Sequence, residues 1–593
     1  MGGFTALKTF LSTVARLLAL IHDRWRQIPA RGRNAMLVCL FGTAVGFVAV
    51  SFHTVVEKIA HHTYLACVGL PVGWFLAGTF VCVVGASLLA TALIRKFDPS
   101  TGGGGVLPTK LSFWKDFGYM PLRTAAVKFT ASTITLGGGV SVGPEGPVVQ
   151  VGAATMSSLA GTAGVPKQKR RMYCASGAAA ALAAAFNAPL AAIAFVLEEI
   201  IGDIGSKLIG AILLAAVMGA LIAHAVIGPQ PAFQVGLLSE PTWRGLLLSP
   251  VVAALAAVAG AGFQKGVLAV RARLRDARRT PGWTRPVLGA VGSWAVAAGT
   301  FLLTGHMGVF GVGYQDVTAC IRGDLDWHVA LTLGAGKLLA TLVAVGAGAC
   351  GGIFAPNFFI GAMCGGLVAA GAAEFMPLSE SDQSILVMAG MCAGLVAVIR
   401  TPITCILLIF EITHQFVIVP IILVATLISH AVSKRIVPDD LYDNMLRQDG
   451  ENPHHVLPPR DFRKWREMPV GALATYRPVV ARGLDAESLR ALTAGSRHQV
   501  FPVQAADGAI DGLLPRAEIE HTLATGRPPK IEAVVWVSPE ETLGEVQHRL
   551  IETPTNFLCL GDPGERRLLG VFTLHDLLRG QEGLVAAEDD EEG

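Results

Sequence analysis

The chain has 593 residues, of which 52% are hydrophobic and only 15% charged, and its mean hydropathy is +0.54. That profile excludes an ordinary soluble globular protein and points to a polytopic membrane protein. The net charge of +3 is unevenly spread: basic groups gather in 16–33, 167–171 and 265–285, at the edges of apolar runs, which argues against nucleic-acid binding and puts those edges on the cytoplasmic side.

In chain order, residues 1–34 come first. Phe4, Leu7, Leu11, Val14, Leu18, Ile21 and Trp25 recur at three–four spacing, with Lys8, Arg16 and Arg24 off that stripe. This predicts an amphipathic helix on the inner membrane surface, not a cleaved leader. Apolar runs long enough to span follow at about 35–56, 72–94, 208–226, 247–270, 287–303, 329–349 and 417–432. Between them, 124–159, 176–201 and 351–412 are apolar but cut by glycine and proline. Broken segments are tolerated in a bilayer only where they are buried in protein or line a cavity. A transmembrane domain of 35–449 is therefore expected. A polar linker, 450–467, leads to two β/α units, 468–527 and 528–581. In the second, 557–560 and 568–572 read as a hairpin, followed by a helix at 574–578. The tail, 582–593, is acidic and is expected to be disordered. Ten cysteines show neither paired nor metal-binding spacing and are expected as free, packed thiols.

The apolar region repeats itself. Gly177, Leu182, Pro189, Ile193 and Glu198 match Gly390, Leu395, Pro402, Ile406 and Glu411 at a constant offset of 213. Gly143…Pro147 likewise echoes Gly352…Pro356. Two halves, about 35–228 and 247–446, are thus expected to wrap a shared pathway.

Gly143-Pro144-Glu145-Gly146-Pro147 carries the chemistry. A lone acid at membrane depth is costly and marks a functional site. The glycines and prolines break the helix and leave backbone N–H groups without intrahelical partners. Such a helix start attracts anions, and a carboxylate beside it competes for the same place.

These residues carry a family resemblance. Gly143-Pro144-Glu145-Gly146-Pro147 resembles the G-[K/R]-E-G-P motif of the CLC chloride channel and transporter family, and Gly352-Ile353-Phe354-Ala355-Pro356 matches its GIFAP motif. Phe186-Asn187-Ala188-Pro189-Leu190 with Glu198-Glu199 looks like its helix bearing an internal proton glutamate, and Leu441-Tyr442 resembles the segment with its anion-coordinating tyrosine. The C-terminal β/α pair looks like a tandem CBS module. The resemblance implies the CLC fold: an inverted internal repeat of tilted, broken helices, with a cytoplasmic α/β CBS pair. It also implies a homodimer in the plasma (inner) membrane with both termini cytoplasmic.

The roles it implies are specific. Glu145 would be a protonatable gate. Glu199 would take up protons from inside, while Glu198, matched by Glu411, would be structural. Ile353 and Phe354 would offer main-chain N–H groups to the anion, and Tyr442 a phenolic hydroxyl, an interfacial tyrosine being the competing reading. The family's usual GSGIP motif is replaced by Thr101-Gly102-Gly103-Gly104-Gly105-Val106-Leu107-Pro108. The register that best fits the spacing puts Gly104 where the anion-binding serine would stand; alignment on Pro108 would put Gly105 there. Either way the hydroxyl is missing, and a flexible glycine linker is the alternative. In the CBS-like pair, Thr573 and Asp576 resemble a ribose-binding segment, so adenine nucleotide is a possible ligand there; no other cofactor or metal is expected. The implied function is exchange of chloride or a related monovalent anion for protons. A passive CLC channel and a membrane-anchored CBS sensor are the rivals. No nucleophile–base set, metal spacing or P-loop suggests an enzyme.

Overall fold

The computed structural model describes residues 30–204, 208–228, 233, 235–236, 238–276, 281–450, 469–476, 478–496, 498–562, 564 and 566–578. The expected N-terminal amphipathic helix, most of the linker and the acidic tail lie outside them. The chain divides into two compact units, 1–457 and 458–593.

The first unit is helical. Its first half comprises α1 (Ala30–His62), α2 (Val72–Phe97), α3 (Val106–Lys115), α4 (Leu122–Gly137), α5 (Glu145–Thr162), α6 (Arg171–Phe186), α7 (Pro189–Phe195) and α8 (Ile209–Val226). Its second half comprises α9 (Trp243–Asp276), α10 (Thr284–Thr304), α11 (Tyr314–Arg322), α12 (Trp327–Gly346), α13 (Phe354–Ala373), α14 (Glu380–Ile399), α15 (Pro402–Thr413), α16 (Val419–Ile436) and α17 (Leu441–Gln448). Among the described residues, nine helices are long and apolar enough to cross a membrane. The seven expected runs all fall in these helices. The other two, α13 and α14, lie in the stretch read as broken, because its breaks fall between helices, at 374–379 and at Arg400-Thr401.

Each break has a local cause. α6 ends on Asn187, in the left-handed conformation at φ +54°, and Pro189 opens α7 one residue later. Arg400 at φ +51° and Pro402 do the same between α14 and α15. α7 runs into a π-turn, Val196–Ile201, which carries Glu198 and Glu199.

The internal repeat is visible as paired contacts. Glu198 accepts hydrogen bonds from the Ile403 and Thr404 N–H groups at the start of α15. Glu411 accepts from Leu190 and Ala191 at the start of α7. Each half thus caps a helix of the other with an acid, satisfying N–H groups that hydrocarbon cannot. Ser132 meets Cys350 at 3.2 Å, and its repeat mate Thr341 meets Ser141 at 3.1 Å. Lys128 and Lys337, offset by 209 and fully buried, each donate to two loop carbonyls: Thr101 and Gly103 for the first, Gly308 and Gly311 for the second. The close helix pairs match too. A Cβ on Gly152 would stand 2.4 Å from the Gly177 carbonyl oxygen, and one on Gly361 would stand 2.1 Å from that of Gly390. Only glycine permits that backbone approach.

The second unit is α/β. It contains α18 (Ala486–Gly495), β1 (Val500–Gln504), β2 (Ile510–Pro515), α19 (Arg516–Thr525), β3 (Trp536–Val537), α20 (Leu543–Glu552), β4 (Phe557–Asp562) and β5 (Arg567–Thr573). β1 and β2 pair antiparallel; β4 pairs parallel with β3 and antiparallel with β5. A helical turn at 574–578 follows. The two sub-units interlock across the boundary read at 527/528. Val470 packs in the core of the β3–β5 sheet, Thr475 pairs with Val571, and Glu532 pairs back with Leu513. These crossings pair strand edges that would otherwise be open.

Candidate functional site

Three broken segments converge at the centre of the first unit. The strand-like stretches before α5 and α13 hydrogen-bond to each other: Gly143 N–H to the Gly352 carbonyl at 2.7 Å, and Gly352 N–H to the Gly143 carbonyl at 2.6 Å. The helix starts at Glu145 and Phe354 are thereby brought together. The third segment is the glycine run before α3. Gly103 has φ +71° and Gly105 +102°, and a Cβ on Gly105 would meet the Gly146 carbonyl oxygen at 2.5 Å. This run is a packed turn against the Glu145 segment, held by Lys128, and not the flexible linker that was its alternative reading. At Gly104 itself an added Cβ would find only the Gly351 carbonyl, at an ordinary 3.6 Å.

Glu145 is the first residue of α5 and is 1% exposed. Its Oε2 accepts the Ala355 N–H at 3.3 Å, and its Oε1 accepts the Tyr314 hydroxyl at 2.9 Å. Among the described residues Glu145 forms no ion pair; the buried Lys128 and Lys337 donate to loop carbonyls. The carboxylate therefore occupies the positive end of α13. Ile353 and Phe354, the pair expected to offer N–H groups to an anion, stand at the start of the same helix. Ile353 is the N-cap and Phe354 the first helical residue, so the N–H facing Glu145 is that of Ala355. A cavity of about 300 Å³ opens beside this point, with His53, Phe186, Tyr314, Phe354 and Ala355 in its wall.

The second acid lies apart from the first. Glu199 is 3% exposed and forms an ion pair with Lys110 of α3 at 3.0 Å. The same ammonium reaches Asp443 of α17 at 3.3 Å. Glu199 thus shares its cation with a second carboxylate. Tyr442, also on α17, is 4% exposed and belongs to the main apolar core of the first unit.

Tyr314 and Lys110 were not singled out from sequence. Tyr314 contacts a residue 169 positions away, and its only local sign is the Gly311-Val312-Gly313 turn that opens α11. Lys110 carried a weak signal: it lies between apolar residues on a short helix, and a cation held at membrane depth calls for a partner.

Residues 85–434, more than half of the chain, match the voltage gated chloride channel family. The chain belongs to that family. CLC relatives cover most of it. It is 28% identical over 444 residues to the H(+)/Cl(-) exchange transporter ClcA of Vibrio parahaemolyticus, covering 72% of this chain and 93% of that protein. The protein of the same name from Salmonella paratyphi B is 28% identical over 471 residues, or 75% and 97%. Among solved structures, a slow cyanobacterial Cl−/H+ antiporter superposes with a TM-score of 0.63 at 23% identity, covering 71% of this chain and 98% of that one. A eukaryotic CLC transporter gives 0.60 at 19% identity, covering 92% and 98%. The CLC fold therefore accounts for the broken helices and the inverted repeat, and makes this a multi-pass membrane protein.

Proposed function

We propose that this protein exchanges chloride, or a related monovalent anion, for protons. The observation that carries the reading is the placement of Glu145: a buried carboxylate that forms no ion pair among the described residues, held by a hydroxyl and by the start of α13. A halide needs the same surroundings, neutral N–H and O–H donors at a positive helix end. Ionised, the carboxylate excludes the anion by standing in for it. Protonated, it loses the charge those donors favour and gives up its seat. A second buried acid, Glu199, supplies a proton route to the other face, and the names of the similar ClcA proteins agree with such exchange.

In this reading anions pass Gly104, Ile353, Phe354 and Tyr442, and protons pass Glu199 and Glu145. The chain acts as a homodimer in the plasma membrane. Both termini are cytoplasmic, on the side of the basic residues in 16–33, 167–171 and 265–285. The C-terminal unit is a CBS pair. A cavity of about 480 Å³ bordered by Thr475, His498, Asn556, Thr573 and Asp576 has the size and polarity for adenine nucleotide.

Flux through proteoliposomes under an imposed pH gradient tests the central claim. Exchange requires the anion reversal potential to move with the gradient, and Glu145→Gln to abolish proton flux while anion flux continues. A reversal potential blind to pH would make the protein a passive channel. Proton coupling that survives in Glu145→Gln would remove Glu145 from the mechanism.

A further inference from the structure

Lys110 divides its ammonium between two carboxylates, Glu199 Oε1 at 3.0 Å and Asp443 Oδ1 at 3.3 Å. The three side chains come from three elements: α3, the π-turn and α17. Their exposures are graded. Lys110 and Glu199 are 8% and 3% exposed, and Asp443 is 26%, the member in touch with solvent. Asp440, the N-cap of α17, accepts the Asp443 N–H at 2.8 Å and adds a third carboxylate. The charged groups facing Glu199 from the elements around it are therefore Lys110, Asp440 and Asp443, with Arg400 acting in turn on Asp440 and Tyr442 alongside as a neutral hydroxyl.

A buried carboxylate with a single cation cannot take up a proton without orphaning that cation. Here the cation has a second partner in place. We propose that Lys110 and Asp443 form a counter-ion switch for Glu199: the ammonium leans on Asp443 while Glu199 carries a proton and returns to Glu199 when the proton leaves. Lys110 stays charged throughout. The proton comes from solution, neutralises the Glu199 carboxylate, and departs toward Glu145. Lys110 and Asp443 are positioning residues in this scheme, which rests on the exchange reading above and adds to it the device that lets the inner acid cycle.

The test is proton flux at a fixed anion gradient, measured in proteoliposomes against pH set equal on both faces. Asp443→Asn leaves Lys110 with Glu199 as its near partner and removes a repelling charge, so the midpoint of the profile should move about one pH unit toward acid. Lys110→Met removes the cation and should move the midpoint in the alkaline direction by a similar amount. Lys110→Arg should stay near wild type, and the double Lys110→Met/Asp443→Asn variant should fall between the singles. A merely structural role would scale the flux without moving the midpoint. Shifts of the same sign, or none, with wild-type exchange intact, overturn the switch alone. Wild-type protein that carries anion without protons overturns the exchange reading and the switch with it. Should Lys110→Met not fold, Asp443→Asn, at the half-open end of the cluster, still decides: an unmoved midpoint sinks the proposal.

Discussion

At the residue scale, the site is built from neutral donors around one acid, and single atoms set its behaviour. Among the described residues, Tyr314 supplies one of two hydrogen bonds that Glu145 accepts from distant segments of the chain. A hydrogen bond to a charged group contributes about 1.5–3 kcal/mol. Tyr314→Phe should therefore release the gate more readily, and anion flux should extend to higher pH than in wild type; a flux–pH curve that superposes on wild type would count against this role. Gly104 is the second position where one atom matters. Its surroundings leave room for a Cβ, so Gly104→Ser should fold normally and return a hydroxyl to the pathway. Selectivity should then change: the ratio of chloride flux to that of larger monovalent anions is expected to rise severalfold in liposomes, as a neutral hydroxyl donor worth about 1 kcal/mol implies. Outside the membrane, Cys559 lies in the interior of β4, and burial pushes its thiol up to about 12. It should resist alkylation at pH 8 in the native protein and react only after unfolding, as peptide mass spectrometry can read.

At the scale of elements, the reciprocal acids explain how two chain segments so far apart stay in register. Glu198 and Glu411 each hold the start of the other half's short helix. Removing either leaves two helix-start N–H groups without their acid, at up to about 1–3 kcal/mol each where water cannot replace it. Glu198→Ala and Glu411→Ala should lower the thermal midpoint of the detergent-solubilised protein by similar amounts. A large drop in one and none in the other would contradict the equivalence. This scale also shows what the sequence could reveal. The 213-residue offset, the helix breaks and both central motifs were legible because glycine, proline and lone acids leave local marks. The Lys128 and Lys337 pair was not, since their partners are carbonyls, which any residue supplies. Nor were the Tyr314 and Lys110 contacts, which depend on how elements fold together.

At the scale of the whole molecule, a helical membrane unit is followed in the chain by a polar α/β unit whose two halves trade strand edges. In that unit the Thr573 hydroxyl and the Asp576 carboxylate already bond each other at 2.7 Å, at the rim of the larger cavity. A nucleotide ribose would have to share them. Millimolar ATP, ADP or AMP should raise the thermal midpoint of the full-length protein in wild type but not in Asp576→Ala, because a ligand that binds only the native state stabilises it. No shift with any of the three would dismiss the nucleotide reading and leave the exchange mechanism untouched.

The cross-caps also bear on how the protein is made. The start of α7 needs an acid that leaves the ribosome 221 residues later, at Glu411. At roughly 5–20 residues per second that delay is on the order of ten to forty seconds. During it the nascent first half must hold a helix start with bare amide hydrogens in or near lipid. Maturation of the two halves is thus a joint event, and separately expressed half-chains should be degraded alone yet recover when produced in the same cell.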